Sequence, residues 1–261
     1  MTIPMARDGD TERQRFVESL NLAAARGMKI PFWWRDDDAV DATPAFEQLL
    51  ALSRKYHVPL ALAVVPKQAT AALAARLESE PSVSVLQHGW RHRNHALSDE
   101  KQMELGDHRP ADAVLEELRL GFDRLAELFP AQFLPVLVPP WNRIADSIRV
   151  RRQEIGLKGL STFGKAPSGE PCWINTHLDI FEWRPIRRPL EPSEAYAILA
   201  TEMDRRLTGD PEPIGIMTHH LVHDAASWAF LDEFFELIER HPAVVWSLHN
   251  GLFGLAQQGN R

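Results

Sequence analysis

The chain has 261 residues, 44% of them hydrophobic and 25% charged, with a formal net charge of −7. That length allows one large domain or two small ones with ample core, and the composition is that of an ordinary globular protein rather than a disordered chain. The acidic balance disfavours nucleic acid as the main partner, the absence of an apolar run of about 18 residues excludes a membrane span, and a single cysteine, Cys172, excludes an internal disulfide.

Met1 to Gln14 is polar and has no apolar stretch of the kind a signal peptide needs, so a cytoplasmic protein is expected. A helix follows at about 10–26, with Phe16, Leu20 and Ala23 on one face and Gly27 as its stop. Ile30–Trp34 reads as a short buried strand. Thr43 and Pro44 supply an N-cap and a first helical position for a helix reaching Tyr56. Leu60–Val65 is a strand, Gln68–Leu77 a helix and Val83–Gln87 a strand. After a polar loop, His88–Arg109, comes an amphipathic helix over Pro110–Phe129. Phe133–Val138 is a strand closed by two prolines, Ile144–Ile155 a helix, Gly159–Phe163 a short strand, and Trp173–Trp183 extended. Glu194–Leu207 is helical, Ile214–Thr218 a strand, Trp228–Arg240 a helix and Val244–Leu248 the last strand.

Strands alternating with helices imply parallel pairing through helical crossovers. At this length, with no glycine-rich phosphate loop after the first strand, a closed α/β barrel is favoured over an open nucleotide-binding sheet. No linker or repeat divides the chain, so residues 1–261 are expected to form one domain. In such barrels the chemistry gathers at the C-terminal ends of strands.

The unusual residues of this chain stand at those ends. After Trp34 come Arg35-Asp36-Asp37-Asp38, three adjacent carboxylates that repel one another unless cations or hydrogen bonds compensate. After Gln87 come His88 and His92, four residues apart, and then His95, expected at the rim. One carboxylate with two imidazoles and open positions left over is how a catalytic divalent-metal site is built, zinc being the first choice. After Val138 stands Pro139-Pro140-Trp141-Asn142, a stiff turn that suits a substrate wall or a packing corner. After Thr218 come His219, His220 and His223; adjacent His219 and His220 should point apart, so at most one of them does chemistry. Six of the eight tryptophans, among them Trp34, Trp90 and Trp141, lie in or beside these segments, and flat indoles stack on sugar rings.

An ordered Asp-Asp, His-x-x-x-His, Pro-Pro-aromatic and late His resembles the polysaccharide deacetylases, the carbohydrate esterase family 4-like enzymes built on the NodB homology domain. The resemblance spans about Trp33 to His223. It implies an irregular (β/α)7–8 barrel that removes acetyl groups from N-acetylated sugars with a divalent metal. By the same resemblance Asp37 is the general base and Asp38 a metal ligand, or Asp36 and Asp37 take those roles one residue earlier. His88 and His92 match the two histidine ligands, Pro140-Trp141-Asn142 the place of Pro-Tyr-Gly, and His219 the late catalytic histidine. The chain also departs from the pattern. Val138 stands where the third motif opens with an arginine that orients the base, leaving Arg143 or Arg35 to substitute. Ala39 replaces the usual glycine, and Asp179 and Trp183 only echo the fourth motif.

The expected activity is metal-dependent hydrolysis of an amide C–N bond, first of all N-deacetylation of a sugar or glycan-like molecule. Metal ligands are Asp38, His88 and His92; catalytic residues are Asp37 and His219; substrate contacts are Trp34, Trp90, Pro140, Trp141 and Asn142. Two alternatives use the same scaffold: a cytoplasmic amide or cyclic-amide hydrolase resembling allantoinase, and a non-catalytic carbohydrate-binding barrel. The partner is a small molecule or oligosaccharide, not nucleic acid or membrane, and the oligomeric state is not legible.

Overall fold

Residues 8–170 and 172–255 are described in the computed structural model of the chain. The strands are β1 (Ile30–Ala39), β2 (Leu60–Val64), β3 (Val83–His88), β4 (Phe133–Val138), β5 (Gly159–Leu160), β6 (Leu178–Asp179), β7 (Phe181–Glu182), β8 (Arg188–Pro189), β9 (Ile214–Thr218) and β10 (Val244–Trp246). The helices are α1 (Asp8–Ala25), α2 (Pro44–Tyr56), α3 (Ala71–Leu77), α4 (Ala111–Leu128), α5 (Asp146–Arg151), α6 (Pro192–Leu207), α7 (Ala225–Ile238) and α8 (His249–Leu252).

One parallel sheet runs in the order β5-β4-β3-β2-β1-β9-β6, and β10 pairs with the first three residues of β1. Beyond β5 the pairing continues through isolated parallel bridges, Leu160 to Trp173 and Phe163 to Thr176. The same stretch then pairs with β9 as β6. Residues 173–179 thereby close the curled sheet into a barrel, as the alternation of elements implied, with the irregularity that the family resemblance implied.

Two apolar layers follow from the two-residue period of the strands. Side chains facing outward, including Phe32, Trp34, Leu60, Leu62, Val64 and Val85, pack against the helices in the main core. Those facing inward are fewer and smaller: Ala61, Ala63, Leu86, Val136 and Val138 surround Trp33, with Phe253 as a plug. Gly215 on β9 belongs to this inner fit, because a Cβ there would lie 2.4 Å from the Trp33 indole nitrogen. Each large apolar side chain buried in this way contributes about 1.5–3 kcal/mol.

Local chemistry sets most element boundaries. The Thr43 hydroxyl accepts from the Phe46 N–H, Pro44 occupies the first turn of α2, and His57 closes the helix in the left-handed region. α3 begins at Ala71 rather than Gln68, because Pro66–Gln68 forms a separate 3-10 turn and Thr70 caps the helix. α7 begins at Ala225, three residues earlier than its apolar pattern, because the Asp224 carboxylate accepts from the Ser227 N–H. The antiparallel hairpin β7–β8 and the short α8 have no clear sequence signal. No helix among the described residues is long and apolar enough to cross a membrane.

The largest departure from the expected elements positions the site. β1 does not stop at Trp34 but continues through Arg35, Asp36, Asp37 and Asp38 to Ala39. Four charged residues read as a loop, yet Arg35 and Asp36 are completely buried and Asp37 nearly so. They stay in the strand because each finds a buried partner.

Candidate metal centre and catalytic pocket

Alternation along β1 sends Trp33, Arg35 and Asp37 into the barrel and Trp34 and Asp36 outward. Arg35 grips Asp37 through two parallel bonds, Nε to Oδ1 at 2.8 Å and a terminal nitrogen to Oδ2 at 3.0 Å. Its other donors reach the Ser161 hydroxyl at 2.6 Å and the Asn142 side-chain oxygen at 2.9 Å. Asp36, on the opposite face, accepts from the Thr218 hydroxyl, the His220 N–H and the His220 ring. Burial acts to raise the Asp36 pKa, but His220 outweighs it and holds the carboxyl below the ordinary range. Asp36 is thus committed to the outer layer.

The register of β1 against β2 slips between Asp36 and Ala39. There Asp38 adopts φ +73°, which turns its carboxylate back over the barrel mouth. Asp38 Oδ1 lies 3.1 Å from His88 Nε2 and 3.3 Å from His92 Nε2. These are about the 3.3 Å edges of a tetrahedron whose metal–ligand bonds are about 2.0–2.1 Å. His88 donates from Nδ1 to the Val138 carbonyl at 2.9 Å, which directs Nε2 at the carboxylate. Two lone pairs facing each other at 3.1 Å require a positive charge between them, a proton or a metal ion. The pKa directions reflect this demand. Burial acts to lower that of His88, but the Asp38 and Asp37 carboxylates raise it overall. Burial acts to raise that of Asp38, and His88, His92 and His219 bring it well below the carboxylate range. His92 is held low by burial and by His88, which leaves its ring neutral and able to ligate. The donor set therefore fits a divalent ion.

The loop after β3 is tightly constrained. Gly89 has φ +57°, and a Cβ there would lie 2.1 Å from the Glu104 carboxylate and 2.7 Å from Pro140. Glu104 is completely buried and accepts the backbone N–H groups of Trp90 and Arg91 at 3.2 and 2.9 Å, tying down the turn that presents His92. Glu104→Ala is expected to lower divalent-ion affinity by about ten- to a hundredfold, the range for groups that orient metal ligands. Glu104→Gln keeps one acceptor oxygen but turns its amide nitrogen toward a backbone donor, so it should recover only part of that affinity; equilibrium dialysis of the wild type and both variants measures the order.

Backbone strain concentrates here as well. Five non-glycine residues among those described have positive φ, and four of them, Asp38, His92, Trp141 and Asn142, surround this centre. For a bulky residue such as Trp141 that conformation is a true outlier, at about 1–3 kcal/mol each, and persists only where neighbours over-determine it. Trp141 is held against His92 with ring centroids 4.3 Å apart, and Asn142 by its bond from Arg35.

His219, at the end of β9, lies in the same cavity of about 590 Å³ as Asp37, Asp38, Trp141 and Asn142. Its Nδ1 stands 3.7 Å from Asp179, an ion-pair rather than a hydrogen-bond distance, and its ring meets Trp183 edge-on at 4.8 Å. Trp183 in turn donates from Nε1 to Asp179 at 2.9 Å. Burial disfavours the imidazolium, but Asp179, with Asp37 and Asp38 behind it, raises the His219 pKa to about 9.

The expected site residues thus divide. Asp37, Asp38, His88, His92, Trp141, Asn142 and His219 line one cavity. Trp34 does not: it is fully buried on the outer face of β1, packed on Phe235 and donating to the Thr218 hydroxyl, so its expected substrate contact is corrected. Trp90 and Pro140 do not line the cavity either. Trp90 lies beneath Lys67, and Pro140 is buried against the Gly89 turn. Of the two arginines that could replace the third-motif one, Arg35 holds Asp37, while Arg143 donates to the Gln102 carbonyl on the rim. Arg184, Arg187 and Gln102 at the cavity were not foreseen. They come from loops whose path no local pattern dictates.

No family model matches the chain, and no curated protein matches it. Solved structures match over most of its length. A Mycobacterium smegmatis protein assigned to the polysaccharide deacetylases superimposes with a TM-score of 0.62 at 16% identity, over 87% of this chain and 90% of that one. The fold is that of the polysaccharide deacetylases. The peptidoglycan deacetylase PdaC of Bacillus subtilis gives 0.54 at 13% identity, covering 86% and 90% of the two chains. A family 4 acetyl xylan esterase from Clostridium thermocellum, solved with a cobalt ion, gives 0.54 at 12% over the same shares. At these identities the likeness is one of architecture.

Proposed function

We propose that this protein is a metal-dependent amide hydrolase that removes an acyl group, first of all acetyl, from the nitrogen of an amino sugar. One observation carries the reading: a buried carboxylate gripped by an arginine, Asp37, adjoins a carboxylate and two imidazoles, Asp38, His88 and His92, whose ligand atoms all lie within 4.8 Å of one another. Those three residues would hold the ion, and their nitrogen and oxygen donors suit zinc. When bound, such an ion supplies Lewis-acid chemistry, acidifying water and polarising an acyl oxygen.

The protein's own groups supply the remainder. Asp37 accepts the proton of the attacking water, and the two bonds from Arg35 keep its oxygens aimed into the cavity. His219, held protonated beside Asp179, donates a proton to the departing nitrogen. Trp141 and Trp183 line the cavity beside His92 and His219 and offer indole surface for a sugar ring. The resemblance of the motifs and the shared fold both support this assignment.

The test is acetate release from a panel of N-acetylated sugars by metal-loaded protein. Asp37→Asn is expected to lower kcat by about 10²–10⁴, the usual share of a general base, while metal content is unchanged. Turnover of cyclic amides alone would overturn the sugar reading. Sugar binding without acetate release, equally tight in Asp37→Asn, would favour a carbohydrate-binding role instead.

A further inference from the structure

Three arginines line the candidate cavity, Arg143, Arg184 and Arg187. Arg143 follows the strained Trp141-Asn142 turn, and Arg184 and Arg187 stand on the loop joining β7 to β8. Among the described residues none of the three is paired with a carboxylate. Arg143 donates only to the Gln102 carbonyl, at 2.9 Å, and Arg187 lies over the Trp183 indole at 5.3 Å. The neighbouring Arg188 shows the contrast, for it pairs with Glu182 at 3.0 Å and Glu194 at 2.7 Å. Acidic partners therefore exist on and beside this hairpin, and Arg188 already uses them.

The carboxylates of the cavity are also engaged. Asp37 is gripped by Arg35, Asp38 faces the two ligand histidines, and Asp179 accepts from Trp183 beside His219. None of them is free to neutralise the rim. In a chain with a net charge of −7, three unpaired cations at one cavity mouth do not follow from composition. Burial first, and the nearby Arg184 charge second, lower the Arg143 pKa, so these two guanidinium groups repel. A bound anion would relieve that repulsion, and planar guanidinium forks suit the paired oxygens of phosphate or carboxylate.

We propose that the substrate carries an oxyanion, phosphate or carboxylate, that is bound by Arg143, Arg184 and Arg187 while its acylated nitrogen lies at the metal centre. The substrate class is then an N-acylated amino sugar bearing a phosphate or a uronate group, rather than a neutral glycan. The acylated nitrogen in this statement rests on the deacetylase reading; the anion does not.

Calorimetric titration of metal-free protein, in which phosphate finds no ion to ligate, separates the two. The probes are N-acetylglucosamine 1-phosphate, an N-acetylated uronic acid and neutral N-acetylglucosamine. The charged sugars are expected to bind at least about tenfold more tightly than the neutral one, since one charge-assisted contact accounts for that much. The preference should shrink as salt is raised and collapse in Arg143→Ala/Arg187→Ala. With metal-loaded enzyme the same double variant should narrow the ratio of kcat/KM between charged and neutral sugars. Whichever charged probe binds more tightly identifies the oxyanion. Equal binding of charged and neutral sugars, or a preference that survives in the double variant, overturns the inference and leaves deacetylation standing. Tighter binding of the charged sugars with no acetate released from any sugar keeps the anion site and overturns the deacetylase reading.

Discussion

Arg35→Met should destabilise the protein by about 3–5 kcal/mol, the range observed when one partner of a buried ion pair is removed. Arg35 is completely buried and Asp37 is only 2% exposed, so the variant strands a carboxylate away from water. The Ser161 hydroxyl and the Asn142 side chain lose a donor at the same time. The double variant Arg35→Met/Asp37→Asn should recover most of that loss, because an amide buries more cheaply than an unpaired charge. It should recover no activity, since the base is gone. Arg35→Lys should fall between them in stability and remain poorly active, because an ammonium cannot reproduce the two parallel bonds that orient Asp37. Urea unfolding together with acetate release measures all four proteins. A single variant as stable as the wild type would refute the buried-pair account, and full activity in Arg35→Lys would refute the orienting role.

The second large effect concerns the metal. Protein dialysed against zinc is expected to hold about one ion per chain, and His88→Ala far less, because the remaining Asp38 and His92 supply only two of the three ligands such centres use. The loss should also appear as stability. An ion present at about a hundred times its dissociation constant adds about 2.7 kcal/mol to the native state, and His88→Ala should forfeit the zinc-dependent part of the melting temperature. It should abolish most deacetylation as well. His95→Ala, altering a histidine of the same loop that lies outside the cavity, is the control and should bind zinc as the wild type does. Elemental analysis of both variants decides the matter: equal zinc in His88→Ala and wild type would remove His88 from the centre.

Much of this architecture is legible locally. The apolar alternation of Leu60–Val64, Val83–His88 and Ile214–Thr218, the Thr43-Pro44 start of α2 and the order of strands and helices require only short-range information. The chemical residues are legible for a similar reason: a carboxylate triplet after an apolar strand and a pair of histidines four apart are uncommon because each is costly without a partner. Two features mislead. The charged end of β1 reads as a loop, because strand propensity takes no account of Arg35–Asp37 pairing across two residues inside a barrel. Trp34 reads as part of the site because it adjoins the aspartates, yet the two-residue period sends it to the opposite face from Asp37.

By itself, then, the sequence determined the alternation of elements and the stock of reactive side chains at strand ends, since both depend on residue type and spacing. The tertiary structure alone decided which carboxylate faces which histidine, that Arg35 and not Arg143 grips Asp37, and that three arginines without acidic partners line one cavity. Those outcomes depend on strand facing, the slip between β1 and β2 that turns Asp38 through positive φ, and the path of the β7–β8 loop. All three arise from contacts between segments far apart in the chain, which no local pattern encodes.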